Sequence, residues 1–218
     1  MTGFLLIATW LIWCIPGALS AQQLSQLPIP QDRWAKEMDF ETKANIIQPP
    51  EKIMDALGIK PGMTVADIGA GRGRVTLPLA RRVGPSGKVY ANDIRSDDLS
   101  FIRERCRREG LENVEIVLGT ETDARLPVKH LDIICMAWVY HVIPPANRVA
   151  MLQSLAANLK PSGTLAMAEP KPENTEVLAN VVSAKRLREE AEKAGLVLVQ
   201  CVEDLLKEDT LFILKKKS

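Results

Sequence analysis

The chain has 218 residues, of which 46% are hydrophobic and 25% are charged, with 28 Lys and Arg against 27 Asp and Glu. This composition is typical of a globular protein and excludes a disordered or fibrous chain. A net charge of +1 and an aromatic content of only 5% argue against a surface built to bind nucleic acid. The length suits one large domain or two small ones.

The first thirty residues carry no charged side chain. Residues 4–15 are almost entirely apolar, Pro16 and Gly17 then interrupt any helix, and small residues precede a cleavage point after Ser20. This pattern predicts a secretory signal peptide over residues 1–20 and an exported protein. The alternative is an uncleaved membrane anchor with the domain in the cytoplasm, although the apolar run is shorter than the roughly 20 residues of a spanning helix.

Removal of that segment leaves three cysteines, Cys106, Cys135 and Cys201. Their odd number and long spacings favour single buried thiols over disulfides. No grouping of His, Cys and carboxylate residues has the spacing of metal ligands, so no metal is expected.

The chain order of predicted elements indicates one α/β domain over residues 51–218, after a polar, proline-interrupted lead-in over residues 21–50. Helices are predicted over residues 51–57, 75–83, 96–109, 146–159 and 183–194. Strands are predicted over residues 64–68, 88–93, 114–118, 131–139, 164–169, 196–202 and 210–215. Alternating strands and helices predict a doubly wound, mostly parallel seven-stranded sheet. The last two strands lack an intervening helix, so we expect an antiparallel pair at one edge.

The loop after the first predicted strand is rich in glycine and consists of Gly69, Ala70, Gly71, Arg72 and Gly73. Such a loop between a first strand and a first helix lets a ligand approach the backbone closely. A dinucleotide fingerprint would require glycine at position 74, where this chain has Arg74. An acid two residues before the loop, Asp67, fits badly beside a pyrophosphate but well beside a cationic amine.

A second acid, Asp93, ends the next predicted strand. The carboxyl ends of neighbouring parallel strands face one crevice, so this carboxylate can accept both hydroxyl groups of a ribose. With Asp67, it favours a ligand that has no phosphate and carries a positively charged amino-acid portion.

Five segments together resemble the class I S-adenosylmethionine-dependent methyltransferases: residues 65–73 (VADIGAGRG), 84–93 (GPSGKVYAND), 118–127 (LGTETDARLP), 132–141 (DIICMAWVYH) and 159–164 (LKPSGT). The similarity covers about residues 51–215. It is nearest to a bacterial branch of small, often signal-peptide-bearing enzymes with a Tyr-His pair after the fourth strand. The resemblance implies a Rossmann-like methyltransferase fold with S-adenosylmethionine as the cofactor.

The resemblance also implies which residues hold that cofactor. Asp67 and the glycine loop would hold the methionine portion, while Asp93, with Ile94 beside it, would hold the ribose. An acid after the third strand would contact the adenine amino group.

At that last position the chain departs from the family pattern. Thr120 stands where the family has its acid, which leaves Glu121 or Asp123 as the adenine contact. We prefer Asp123 because it leads into Leu126 and Pro127 as the branch pattern does.

The chain has two histidines, and His130 is predicted to lie in a surface loop. His141 follows the fourth strand, at the edge where doubly wound sheets place their substrates. Its imidazole can accept a proton from a hydroxyl or amine acceptor, or it can be a structural residue of the turn before Pro144. Tyr140 either orients the acceptor or closes the pocket. Glu169, at the end of the fifth strand, is a further candidate for lining the crevice.

The expected function is methyl transfer by in-line displacement from S-adenosylmethionine to a small-molecule acceptor. No nucleic-acid partner is expected, and a membrane is involved only if the N-terminal segment stays uncleaved. The alternative is a non-catalytic binding module that retains the methyltransferase fold. An exported location favours this alternative, because S-adenosylmethionine is made in the cytoplasm.

Overall fold

The computed structural model describes residues 31–171 and 183–217. The helices are α1 (Gln31–Ile47), α2 (Pro50–Ala56), α3 (Thr76–Val83), α4 (Ser96–Glu109), α5 (Pro145–Asn158) and α6 (Ala184–Lys193), with a 3-10 turn at Tyr140–Val142. The strands are β1 (Thr64–Ile68), β2 (Lys88–Asp93), β3 (Val114–Leu118), β4 (Leu131–Ala137), β5 (Leu159–Pro170), β6 (Leu196–Val202) and β7 (Asp209–Lys216). The predicted signal peptide, residues 1–20, lies outside the described residues. None of the described helices is long and apolar enough to cross a membrane.

The seven strands form one sheet in the order β3-β2-β1-β4-β5-β7-β6. Strands β1 to β5 pair in parallel, whereas β7 is antiparallel to both β5 and β6. This arrangement confirms the predicted α/β class, the mostly parallel sheet and the antiparallel pair at one edge. The strand that runs against all the others is β7, which lies one position in from the edge because β6 occupies the edge itself.

Alternate side chains of the central strands pack against helices on opposite faces of the sheet. Ala66 and Ile68 of β1 belong to the core cluster that includes α5 and α6. Val65 of the same strand and Ile133 of β4 belong to the cluster that includes α2 and α3. Both faces are therefore buried, which is why these strands read as continuous apolar runs in the sequence.

Helix α1 lies in the polar, proline-interrupted lead-in over residues 21–50, where no helix was predicted. The buried positions of α1 are Glu37 and Ala44, so no apolar stripe marks it as a helix. Its acids instead form ion pairs, Glu37 with Arg72 at 2.5 Å and Glu41 with Arg105 at 2.7 Å. These partners lie in the glycine loop and in α4, so α1 covers the loop through charged contacts.

Candidate active site

The carboxyl ends of β1, β2 and β4 meet at one edge of the sheet, where the strand order reverses between β1 and β4. Doubly wound sheets bind their ligands at such a point. A cavity of about 280 Å³ opens there, close to the lower end of the roughly 300–1,000 Å³ typical of small-molecule sites. Its apolar wall includes Ile68, Trp138, Val139, Ile143 and Met151.

The glycine loop forms one side of this cavity through Gly69. Gly69 has a φ of 67°, and a Cβ atom there would collide with the side chain of Val139. Gly73 has a φ of 93° and a Cβ there would collide with α3. Between them, the Ala70 N–H donates a hydrogen bond to the carbonyl of Asn92 at 2.9 Å. The loop therefore needs glycine at both positions and is tied to the end of β2.

Asp93 lines the cavity and also holds the glycine loop in place. Its Oδ2 accepts a hydrogen bond from the Gly71 N–H at 2.9 Å, and its Oδ1 accepts one from the Arg95 N–H at 2.9 Å. Each oxygen keeps a second lone pair that can accept a hydrogen bond from a ligand hydroxyl. The following residue, Ile94, lines the cavity and is 52% exposed.

Asp67 lies behind the cavity wall. The next two residues along the chain, Ile68 and Gly69, line the cavity, whereas Asp67 itself is 2% exposed. Its carboxylate accepts a hydrogen bond from the Thr76 hydroxyl at 2.6 Å. Burial raises the pKa of Asp67 to about 6, against the opposing effects of the Thr76 hydroxyl and the Arg74 guanidinium. This carboxylate is therefore poised to respond to a cation bound in front of the loop.

The preference for Asp123 over Glu121 as the adenine contact is not supported by the geometry. The Oδ1 of Asp123 accepts hydrogen bonds from the Arg125 N–H at 2.8 Å and from the Ser154 hydroxyl at 2.7 Å. These contacts lower the pKa of Asp123 and tie its carboxylate to its own turn and to α5. Thr120 and Glu121 are the residues after β3 that line the cavity. Glu121 is therefore the acid placed to contact a ligand there.

Tyr140 is not placed to orient an acceptor. Its side chain is fully buried in the core, and its hydroxyl donates a hydrogen bond to Oε2 of Glu190 in α6 at 2.8 Å. Burial and the adjacent carboxylate raise the pKa of Tyr140. The hydroxyl thus joins the 3-10 turn to α6, and Tyr140 has a structural role.

His141 lies in the same 3-10 turn and is 8% exposed. Its Nδ1 lies 2.6 Å from Oε2 of Glu169, whose carboxylate also accepts hydrogen bonds from three successive backbone N–H groups. Glu169 is 2% exposed, so its carboxylate stabilises the turn from the protein interior and does not line the cavity, for which the sequence had made it a candidate. His141 stands next to Val142, which lines the cavity.

A buried polar network beside the cavity was not predicted from the sequence. Oδ2 of Asp209 accepts hydrogen bonds from Nε2 of Gln48 at 2.8 Å and from Nε1 of Trp138 at 2.9 Å. Arg74 donates to the Gln48 carbonyl at 2.8 Å and lies 5.0 Å from the centre of the Trp138 ring. Burial raises the pKa of Asp209 and lowers that of Arg74. The one local signal for this network was the position of Arg74 directly after the glycine loop.

The remaining candidates lie away from the cavity. His130 is exposed, as predicted for a surface loop. Cys106, Cys135 and Cys201 are free thiols, as predicted, but only Cys106 and Cys135 are buried and Cys201 is half-buried. Within the described ranges, no three His, Cys, Asp or Glu side chains are grouped closely enough to hold a metal ion.

Comparison with known proteins agrees with this geometry. Residues 65–163 match the family described as "Methyltransferase domain". Nocamycin O-methyltransferase of Saccharothrix syringae is 30% identical over 56% of this chain and 42% of its own length. The ubiquinone/menaquinone biosynthesis C-methyltransferase UbiE of Shewanella pealeana is 31% identical over 59% of this chain and 51% of its own. This chain therefore spans about half the length of these curated relatives.

Among solved structures, a SAM-dependent methyltransferase from Aquifex aeolicus superposes with a TM-score of 0.73 and 27% identity, over 88% of this chain and all of that one. The sheet order, the cavity at the strand switch and these likenesses define the class I S-adenosylmethionine-dependent methyltransferase fold. Within it, residues 65–163, from β1 into β5, are the part of the chain that matches the methyltransferase-domain family.

Proposed function

We propose that this protein is a methyltransferase that uses S-adenosylmethionine to methylate a small-molecule acceptor. One observation carries the proposal. The cavity at the β1–β4 switch point is bounded by a glycine loop that cannot accommodate a side chain at Gly69. It is also bounded by Asp93, each of whose carboxylate oxygens accepts only one hydrogen bond from the backbone. Both features lie in the segment that matches the methyltransferase domain.

The residues present fit this cofactor. Asp93 would hold the ribose hydroxyls, and the apolar side chain of Ile94 would lie against the adenine ring. Glu121 replaces Asp123 as the proposed partner of the adenine amino group. The backbone from Gly69 to Gly73 would hold the methionine portion, and the buried charge of Asp67 would attract its ammonium group.

When bound, S-adenosylmethionine supplies a methyl group whose carbon–sulfur bond breaks as the acceptor atom bonds to the methyl carbon, with the electron pair remaining on sulfur. The chain's own residues align the reactants and exclude water. The wall formed by Trp138, Val139 and Ile143 is apolar, so it removes water from the reacting centre. We assign to His141 the acceptance of the proton that the acceptor loses.

The test is a methyl-transfer assay with S-adenosylmethionine labelled on its methyl group and a small-molecule extract of the source cells. We expect label in the fraction that passes a size filter, with strong loss in Asp93→Ala. Asp97→Ala is the matched control, because Asp97 is an exposed acid in the first turn of α4. Label confined to the retained macromolecules would contradict a small-molecule acceptor.

Export of the protein is a separate proposal. It rests on the apolar run, the Pro16-Gly17 interruption and the small residues before Ala21 in the sequence. All of these features lie outside the described residues.

A further inference from the structure

Trp138 lines the cavity in a backbone conformation that bulky residues rarely adopt. Its φ is 60°, and in residues 31–171 and 183–217 Arg125 is the other non-glycine residue with a positive φ. Strained conformations of this kind persist only where surrounding contacts hold them, and they cluster at functional sites. The Trp138 N–H donates a hydrogen bond to the Ala168 carbonyl of β5 at 2.9 Å. The backbone that directs the indole is therefore fixed directly after β4.

A buried carboxylate holds the indole by its edge. Nε1 of Trp138 donates to Oδ2 of Asp209 at 2.9 Å, and Nε2 of Gln48 donates to the same oxygen at 2.8 Å. Asp209 is 1% exposed and Gln48 is fully buried. Because Asp209 begins β7 and Gln48 follows α1, two further elements fix the position of the ring.

A guanidinium covers one face of the same ring. Cζ of Arg74 lies 5.0 Å from the ring centre, and Arg74 also donates to the backbone carbonyl and the side-chain oxygen of Gln48. Trp138 lines the cavity, whereas Arg74 and Asp209 do not. Both therefore contact the indole from the side away from the cavity, and their opposite charges offset each other there.

The charged and apolar residues of the cavity wall follow different strands. In the described part of the chain, the charged lining residues are Asp93, Arg95 and Glu121, which lie at or after the ends of β2 and β3. The lining residues directly after β4 are apolar: Trp138, Val139, Val142, Ile143 and Pro144. The ribose and adenine contacts proposed above all belong to the first group. The wall after β4 is thus left for the acceptor.

An acceptor at this wall would meet an uncharged surface. A cationic acceptor would lose its hydration there without a carboxylate among the described residues of this wall to replace it. The positive sulfonium of the cofactor, bound in the same cavity, would also repel it. A flat aromatic acceptor would instead gain from stacking on the indole.

We propose that Trp138 is the specificity-determining residue of this site, which takes a flat, uncharged aromatic acceptor against the indole, and that Asp209 is the positioning residue that holds the indole in place. This inference rests on the proposed function. Asp209 acts through the indole N–H, so its effect should fall on the acceptor and not on the cofactor.

The indole contact is tested first, without any ligand. In the full chain, labelled with ¹⁵N at its four tryptophans, Trp138→Phe assigns the Trp138 indole N–H. We expect this N–H to exchange slowly with solvent in the wild type and in Asp209→Asn, whose carbonyl oxygen can accept from both donors. Asp209→Leu should lose the protection. Fast exchange in the wild type, or slow exchange in Asp209→Leu, would overturn the role of Asp209.

The acceptor class is tested second, by titration of the protein saturated with the demethylated product of the cofactor. The probes are quinoline and N-methylquinolinium, two flat molecules of similar size that differ in charge at neutral pH. We expect saturable binding of quinoline, and binding of N-methylquinolinium that is weaker by about 10-fold or more. Trp138→Leu should weaken quinoline binding by about 2–10-fold, the contribution of one aromatic pair.

The variants of Asp209 test whether it acts through the indole. Asp209→Leu should weaken quinoline binding and leave the affinity for S-adenosylmethionine unchanged, whereas Asp209→Asn should bind both as the wild type does. In Trp138→Phe, which lacks the indole N–H, adding Asp209→Leu should cost no further quinoline affinity. The matched control is Asp204→Asn, because Asp204 is an exposed acid in the loop before β7. If Asp209→Leu does not fold, Trp138→Phe breaks the same contact from its other side and should lose quinoline affinity alone.

The outcomes separate the two proposals. Absence of quinoline binding, or equally tight binding of N-methylquinolinium, would overturn the acceptor class. Equal losses of quinoline and S-adenosylmethionine affinity in Asp209→Leu would reduce Asp209 to a structural residue and overturn its positioning role. Failure to bind S-adenosylmethionine at all would overturn the proposed function, while the exchange of the indole N–H would still decide the role of Asp209.

Discussion

The buried carboxylates at this site differ in the groups that stabilise their charge. Asp93 accepts two backbone N–H groups and Glu169 accepts three, together with an imidazole. Asp67 has the hydroxyl of Thr76 and a more distant guanidinium, so burial dominates its ionisation. Its charge is therefore costly in the folded protein and is the one most responsive to a bound cation.

A pH dependence of stability follows from Asp67. Its pKa is raised from 3.8 to about 6, so between these values the folded state binds more protons than the unfolded state. The free energy of unfolding should then fall as the pH rises through this window, by roughly 3 kcal/mol. Asp67→Asn, which cannot ionise, should lose none of this stability. Urea unfolding of both proteins at intervals from pH 4 to pH 7 measures the difference.

The control for this prediction is Asp97→Asn, which removes an exposed acid. Its stability should follow that of the wild type across the whole pH range. A constant difference between the wild type and Asp67→Asn from pH 4 to pH 7 would refute the assignment.

The sequence predicted the positions of candidate site residues where these follow from the order of the strands, but not where they depend on side-chain direction. Gly69 and Asp93 were found because chain order alone places the ends of β1 and β2 side by side. The preference for Asp123 over Glu121 depended on side-chain direction, which chain order does not determine. Asp123 accepts hydrogen bonds from the Arg125 N–H and the Ser154 hydroxyl, whereas Glu121 lines the cavity. No sequence pattern predicts the contacts of Asp123 or the position of Glu121 at the cavity.

Among the elements, α1 connects the cofactor loop to the rest of the molecule. Arg105 of α4 donates to Glu41 of α1 at 2.7 Å and to the Arg72 carbonyl of the glycine loop at 3.0 Å. Both charged side chains of this pair are largely buried. The strands were predicted from buried apolar runs, whereas α1 was missed because its contacts are between charges far apart in the chain.

Breaking this contact should destabilise the protein strongly. Glu41→Ala leaves Arg105 buried without its partner, so we expect a loss of about 3–5 kcal/mol in the free energy of unfolding. Lys43→Ala removes the exposed Asp39–Lys43 pair on the same helix and should cost less than about 1 kcal/mol. Urea denaturation of both variants measures the contrast. Similar losses in the two would show that α1 is not held through Glu41.

At the scale of the whole molecule, the N-terminal segment decides where the domain works. A cleaved signal peptide predicts that protein purified from its native host begins at Ala21, which intact mass analysis would detect. An anchor predicts an intact mass and retention on membranes after a salt wash. In that case the nearest cations, Arg33 and Lys36, would keep the domain on the cytoplasmic side with its cofactor. A mature N-terminus at Met1 or Thr2 would contradict cleavage.

The mostly parallel sheet with an antiparallel pair at one edge was predictable at this scale because alternating strands and helices permit few topologies. The pairing of His141 with Glu169 was not, because two strands and α5 must assemble before the residues meet. The segments of the site can be recognised one by one in the sequence, whereas the contacts between their side chains form only in the folded protein.

The central claim is that the cavity beside Asp93 binds S-adenosylmethionine, and calorimetric titration of the purified protein tests it most directly. We predict saturable binding of S-adenosylmethionine and of its demethylated product, weakened by about 1–3 kcal/mol in Asp93→Ala because ligand hydroxyls lose their partner. Asp97→Ala should bind as the wild type does. Unchanged affinity in Asp93→Ala, or binding of NAD with no binding of S-adenosylmethionine, would contradict the account.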